Sequence, residues 1–374
     1  MPMMRIALLA APALVLAACS VTTAPDNAEA PAPAPGATPG AAASPTETPA
    51  PAPTPVAAAA AKPVEPRTFG DWAVGCDNTA LCTMASLGVE GTVPDGVTMQ
   101  ILRQPGPEGA FDLAFDEPAE ERAVAPTAVE IDGRRLPLSA LNGAPAAAIV
   151  RAMVDAGSLV AIRPTGRATI SLKGAAAALR WIDAQQGRAG TVTAAVATGP
   201  KPASAVPERR PAPVVRALVA TGVAAKPTRA QLAAMQKQAG CELPDGAVFQ
   251  PEAHALGGGA TLVLLPCFAG AYNLSSALYV LRDGTFTVAR TDAPTGFGPT
   301  GAADLDKVAS VVNGTWKDGE LTSYAKGRGL GDCGVSQTMV WDGTRFRLTE
   351  QAEMGECRGN PNYITTWRTQ VVRG

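Results

Sequence analysis

After residue 66 the chain alternates between two spacings. Apolar positions recur every second residue over most of it, which predicts strands, and three short stretches switch to a helical period. Phe69-Gly-Asp-Trp-Ala-Val-Gly-Cys76 reads as a strand, and Leu81 to Leu87 as the next. Val97 to Gln104, Ala110 to Asp116 and Thr127 to Ile131 follow, and a hairpin turn at Asp132-Gly133 opens Arg134 to Leu138. From Ala146 to Ala156 the pattern changes: Ile149, Val150, Met153 and Val154 share one helical face, with Gly157 as the stop. Leu159 to Arg163 and Ala168 to Leu172 return to strand spacing. Ala175 to Gln186 predicts a second helix and Thr191 to Ala197 a further strand.

A Pro-rich break runs from Gly199 to Pro213. Beyond it, Thr228 and Gln231 form a capping-box pattern feeding a helix that stops at Gly240. Strands are expected at Thr261 to Leu265, Ala277 to Arg282, Thr285 to Ala289, Val308 to Val312, Thr338 to Trp341, Arg345 to Thr349 and Tyr363 to Val372. Asp283-Gly284 and Asp342-Gly343 are the expected hairpin turns. The fold class is therefore α+β, mainly β: two β-rich units, each with one or two helices.

The first 66 residues fit neither pattern. Ile6 to Leu16 is an apolar stretch broken only by Pro12. It suits a signal-peptide core and falls short of the roughly 20 residues a bilayer span needs. It ends in Leu16-Ala17-Ala18-Cys19, which resembles the bacterial lipoprotein box; the resemblance implies cleavage before Cys19 and lipidation of that cysteine. Lipid chains on one residue anchor a protein without crossing the membrane. Ser20 follows where an aspartate often marks inner-membrane retention, so the resemblance implies the outer membrane. From Val21 to Arg67 there is no Ile, Leu, Phe, Met, Trp or Tyr, so this Ala/Pro-rich segment has nothing substantial to bury and is expected to be a disordered tether. The expected organisation is a lipoprotein signal peptide (1–18), lipidated Cys19 with its tether (19–66), a β-rich domain (67–198), a linker (199–214) and a second β-rich domain (215–374).

Setting Cys19 aside leaves Cys76, Cys82, Cys241, Cys267, Cys333 and Cys357. An even number behind an export signal favours disulfides. Cys76 and Cys82 flank a tight turn between adjacent strands. In the second unit, pairing sequence neighbours gives Cys241–Cys267 and Cys333–Cys357, although six cysteines permit other connectivities. Metal binding is the rival reading, weakened by the absence of any CxxC and by the single histidine, His254. That lone histidine excludes sites requiring two. No metal, cofactor or catalytic residue is expected.

Thirty-one basic against thirty-three acidic residues leave a net charge of −2, which argues against a nucleic-acid partner. Gly329-Leu-Gly331-Asp-Cys-Gly334 formally matches a dinucleotide fingerprint, but the stretch after it predicts a strand where that motif needs a helix. A turn shaped around a disulfide is the simpler reading. Tyr324, Lys326, Arg328, Asp332 and Arg358 cluster around it in sequence and form a candidate ligand rim for an anion or a sugar. His254 has no GxSxG serine to serve. Glu120 and Glu121 read as a solvated loop, and the five tryptophans as core residues first and sugar-stacking residues second.

Phe69-Gly-Asp-Trp-Ala-Val-Gly-Cys76 with Cys82, Thr127 to Gly133 and Ser171 to Leu179 resemble the invasion-associated locus B proteins, exported β-rich envelope proteins with disulfides. That family often has another cysteine pair before its first helix; Leu138 to Ala144 has none. Over 67–374 the chain more closely resembles an uncharacterised proteobacterial family, a domain of unknown function. The motifs are Gly70-Asp-Trp72, Ala178 to Gly187, Leu264 to Cys267, Gly270-Ala-Tyr-Asn273, Lys326 to Gly334, Trp341-Asp-Gly343 and Glu356 to Gly359. Neither resemblance brings catalytic residues.

The functional expectation is a non-enzymatic lipoprotein held to the outer membrane through Cys19, facing the periplasm rather than the exterior. It would act as a binding or accessory module for an envelope protein or glycan partner. The alternatives are an inhibitor or accessory factor of a cell-wall-lytic enzyme, and a hydrolase of cell-wall polymer.

Overall fold

The computed structural model describes residues 65–88, 97–116, 125–244, 246, 249–291 and 308–374. The expected signal segment, Cys19, the expected tether up to residue 64 and Glu120-Glu121 lie outside them. The first sheet is an antiparallel meander of β1 (Arg67–Phe69), β2 (Trp72–Cys76), β3 (Cys82–Ser86), β4 (Thr98–Arg103) and β5 (Phe111–Asp116). Phe69 to Cys76, expected as one strand, is split because Gly70 at φ 58° turns the chain back and pairs Phe69 with Trp72.

The second sheet has the order β7-β6-β8-β9, from β6 (Ala128–Ile131), β7 (Arg134–Pro137), β8 (Ser158–Arg163) and β9 (Gly166–Ser171). Helix α1 (Gly143–Met153) enters between β7 and β8, and α2 (Ala175–Gln185) follows β9. Ala146, Ile149, Val150 and Met153 of α1 are buried, the helical face expected from the sequence. With Leu179 and Ile182 of α2, Trp72 and Val74 of β2, and Leu159 of β8 they form one core.

Thr191 to Ala197, expected as a strand, is a run of tight turns. Its donors go elsewhere: buried Asp183 of α2 accepts the N–H groups of Ala195, Val196 and Ala197 at 2.9–3.1 Å. Arg188, wholly buried, donates to the carbonyls of Gln104 and Gly106 and to the side chains of Gln186 and Thr193. Burial, above all, lowers the affinity of its guanidinium for its proton, and Asp183 opposes that. Burial and the nearby Arg188 likewise hold Arg103 down to about 10.

The second half is a sandwich with a helix on its outer face. After β10 (Val214–Ala217), α3 (Arg229–Ala239) starts at a capping box in which Thr228 and Gln231 exchange hydrogen bonds, and it ends at Gly240 in the left-handed conformation. One sheet runs β11 (Glu252–Gly257), β12 (Ala260–Ala269), β13 (Leu274–Arg282), β14 (Thr285–Val288), with β15 (Ser310–Val312) also on β13. The other runs β16 (Thr315–Lys317), β17 (Glu320–Lys326), β18 (Gly334–Trp341), β19 (Phe346–Met354), β20 (Ile364–Arg368). The unbroken apolar run of β12 is explained by two buried faces. Leu262 and Leu264 pack toward the second sheet, while Val263, Leu265 and Cys267 pack against Met235 and Ala239 of α3.

Tyr363 to Val372 is not one strand: after β20 the chain shifts at Thr369 into β21 (Gln370–Arg373), which pairs in parallel with β10. Asp342-Gly343 does lie in the hairpin turn between β18 and β19, where Trp341 pairs with Phe346. The Asp342 carboxylate accepts from the N–H groups of Thr344 and Arg345, both at 2.8 Å, making a wider loop between β18 and β19. Residues Ala58–Gly374 form one compact unit, so both β-rich halves lie within it.

Candidate functional site

The halves meet where the first sheet exposes the back of β2 and β3. A side chain on a strand alternates in direction, so Trp72 and Val74 enter the first core while Ala73 and its neighbour Ala85 face the other way. There they meet Met354, Ile364 and the Cys333–Cys357 disulfide. The approach is close: a Cβ built on Gly75 would lie 2.8 Å from Ile364 Cγ2.

Polar contacts ring this small apolar patch. Arg358 donates to the carbonyl oxygens of Gly88 (2.8 Å) and Gly70 (3.0 Å) and to the Asp71 carboxylate (2.6 Å). The Arg358 hydrogen bond first, then that from Ser171, holds the Asp71 carboxyl below the usual range, against the opposing pull of burial. Arg368 is ion-paired with buried Asp77, and Asn78 trades hydrogen bonds with the Arg368 backbone at 2.9 and 3.0 Å. Fully buried Asn360 donates to Ser86 O, and Asn362 donates to Asp116.

The candidate rim lies beside this junction. Tyr324 donates to Gly331 O at 2.5 Å and lies 3.3 Å from the Tyr363 hydroxyl. Burial first, with the neighbouring Tyr324 hydroxyl, raises the Tyr363 phenol above its ordinary range. Arg328 makes two hydrogen bonds to Asp332, at 2.5 and 2.7 Å. Asp332 also accepts from the N–H of Gly359. Burial alone would raise the Asp332 carboxyl, but these donors outweigh it and the net direction is down. Lys326 reaches over the Tyr324 ring, 5.7 Å from its centre. Tyr324, Lys326, Arg328 and Asp332 are thus brought together, while the Arg358 side chain turns to the first half. Most of their polar atoms hold the fold rather than face a groove.

The Gly329 to Gly334 segment is a turn between β17 and β18, with Cys333 bonded to Cys357 and a strand after it. Cys76–Cys82 and Cys241–Cys267 are the other disulfides among the described residues, so the pairs suggested by sequence order are the ones formed. No group of His, Cys, Asp and Glu able to hold a metal occurs among the described residues.

Sequence reading assigned no strand to His254. It sits on β11, 2.8 Å from Glu252, with its ring 6.4 Å from that of Trp316 on β16. The two border an open groove of about 440 Å³ that also includes Leu218, Asp318 and Arg373. Period-two spacing could have signalled β11, but its residues are too weakly apolar to stand out. Trp72 and Trp341 are buried, whereas Trp181, Trp316 and Trp367 pack at the core's margin.

These features define a disulfide-stapled, mainly β fold in which two halves share one junction. The chain belongs to the family described as "Protein of unknown function (DUF1176)", whose model matches residues 66–370. It is also 29% identical over 339 residues to "Uncharacterized protein YpfG" of Escherichia coli (strain K12), covering 81% of this chain and 93% of that protein. No solved structure matches.

Proposed function

We propose that this protein is a lipid-anchored module of the outer membrane, tethered through Cys19 on the periplasmic side, that binds an envelope protein or glycan and catalyses no reaction. The observation that carries this reading is the set of three disulfides in the folded unit, which matches an oxidising compartment. The Leu16-Ala17-Ala18-Cys19 sequence and the resemblance of the opening strands to invasion-associated locus B proteins support it. The open groove beside Trp316 and His254 offers an aromatic wall and an imidazole hydrogen-bonded to Glu252, the mixture that suits a polar partner.

A hydrolase reading needs two unspent carboxylates converging in a cleft. Buried Asp77, Asp183 and Asp332 are each committed to an arginine or to backbone N–H groups, which favours binding over hydrolysis. The inhibitor reading draws on Leu330, 57% exposed at the tip of the β17–β18 turn. Metabolic labelling with a palmitate analogue tests the proposal: wild type should carry label in the outer-membrane fraction and Cys19→Ala should carry none. Label retained by Cys19→Ala would end the anchor model.

A further inference from the structure

At one open end of the sandwich the face of the β13–β14 hairpin overhangs the loop between β18 and β19, leaving a cleft of about 500 Å³. Directly opposed residues of an antiparallel pair share a face. Val280 pairs with Thr287 and Arg282 with Thr285, so Arg282, Thr285 and Thr287 stand together over the same side as buried Val280 and Ala289. Arg290 follows at the end of the hairpin. Its carbonyl takes the Phe346 N–H at 2.8 Å, tying the two sheets together beside the cleft. Thr344 and Gly343 close the far rim, and Trp341 is part of the wall.

Two properties separate this cleft from the other surface grooves. Arg282 and Arg290 are both exposed, and neither guanidinium has an ion-pair or hydrogen-bond partner among the described residues; the nearest acid on the rim is Asp283 at the hairpin turn. This contrasts with Arg103, Arg188, Arg328, Arg358 and Arg368, whose guanidinium groups serve the fold. Further, Trp341 is 4% exposed and its indole N–H has no acceptor. A buried donor left without a partner is costly, and native folds rarely carry one without a reason.

From these observations we infer that the cleft is a binding site for a phosphorylated ligand. The Arg282 and Arg290 guanidinia clasp the phosphate oxygens, as planar forked donors do. The hydroxyls of Thr285, Thr287 and Thr344 complete its hydrogen bonds. The space exceeds that of a bare ion, and Val280, Val288, Ala289 and Trp341 supply an apolar wall for the body that carries the phosphate. The site lies on residues separate from Cys19 and from the Trp316 groove, so it stands whether or not the anchor does.

Isothermal titration of the full chain with glucose 6-phosphate, glucose and inorganic phosphate tests it. Flotation with vesicles of phosphatidylglycerol, set against phosphatidylcholine, forms a second arm. Saturable binding of glucose 6-phosphate but not glucose is expected, weakening as salt rises. The double variant R282Q/R290Q should bind at least about tenfold more weakly, with an unchanged melting temperature showing that it folds. Flotation with phosphatidylglycerol that soluble glucose 6-phosphate competes away would identify a lipid headgroup as the source of the phosphate. Binding of inorganic phosphate alone would confine the site to the ion. No saturable binding in any arm, or binding that R282Q/R290Q retains in full, would overturn the inference.

Discussion

Arg358 places its Nη2 atom 2.6 Å from the Asp71 carboxylate, across 287 positions of sequence. The pair is partly shielded from solvent, and the same guanidinium serves two carbonyl oxygens of the first half. Removing it leaves several acceptors in need of donors, so Arg358→Gln is expected to lower unfolding free energy by about 1–3 kcal/mol in urea melts. Because the Asp71 carboxyl is depressed in the folded state, its contribution is fully present above the unfolded pKa of about 4 and fades as pH falls through the lower folded value. Comparing melts of wild type and Asp71→Asn should show a gap at neutral pH that closes in acid. A gap that ignores pH would remove the ion pair from the account.

Glu353 supplies the opposite sign. Burial first, with help from Glu65, raises its carboxyl, while hydrogen bonds from Gln351 and Thr366 pull the other way. An acid whose folded pKa lies above the unfolded value, about 4.3, makes the fold less stable as pH rises between the two. Glu353→Gln should therefore melt higher than wild type at neutral pH, with the difference shrinking toward pH 4. A wild type that melts higher at pH 7 would show that the charged form is welcome there.

The disulfides close loops of different length, with 24 and 26 residues of separation in the second half and 6 in the first. On the chain-entropy model, Ser substitution of Cys241–Cys267 or Cys333–Cys357 should cost about 3.5 kcal/mol each, against about 2.4 kcal/mol for Cys76–Cys82. Thiol alkylation before and after reduction checks that the bonds exist, and calorimetry of the three double-Ser variants checks the order. Equal losses would mean that native-state geometry, rather than loop length, sets the cost.

Gly75 marks a tight approach between the halves. Gly75→Ala would push a methyl against Ile364, and overpacking of this kind should cost about 1–3 kcal/mol. Removing the obstacle in Gly75→Ala/Ile364→Ala should make the double variant less destabilised than the sum of the two single variants in the same melts. Simple additivity would place the strain in the backbone of β2 instead.

The strands that show up in the sequence are those with a simple burial rule. β4 and β5 alternate, β12 is buried on both faces, and α3 is announced by Thr228 and Gln231. β16 escaped notice because Thr315–Lys317 is three residues long, and its turn at Asp318-Gly319, with φ 52° and 81°, shows no apolar alternation beside it. Thr191 to Ala197 misled because its small and β-branched residues fit a strand. The Asp183 carboxylate that takes its N–H groups lies 12–14 residues earlier and leaves no mark in the local pattern. The candidate rim shows the same limit. Arg358 and Asp332 are polar residues in a loop by sequence, and only the fold reveals that Gly88 and Gly359 meet their needs. The Arg282–Arg290 cleft was hidden for a similar reason, since it depends on which face of a hairpin looks at a loop some 60 residues away.

The parallel pairing of Val214–Ala217 with Gln370–Arg373, together with Arg358 and Arg368 on the first half, bears on how the molecule is made. A chain that leaves the ribosome or a translocon from its front end presents Ala73, Ala85 and Leu87 long before Met354 and Ile364 arrive to cover them. During that interval the nascent first half has one dry flank and one bare, sticky flank. Holding factors have their natural target there, and a chain cut short before Met354 leaves that flank uncovered and fit for proteolysis rather than assembly.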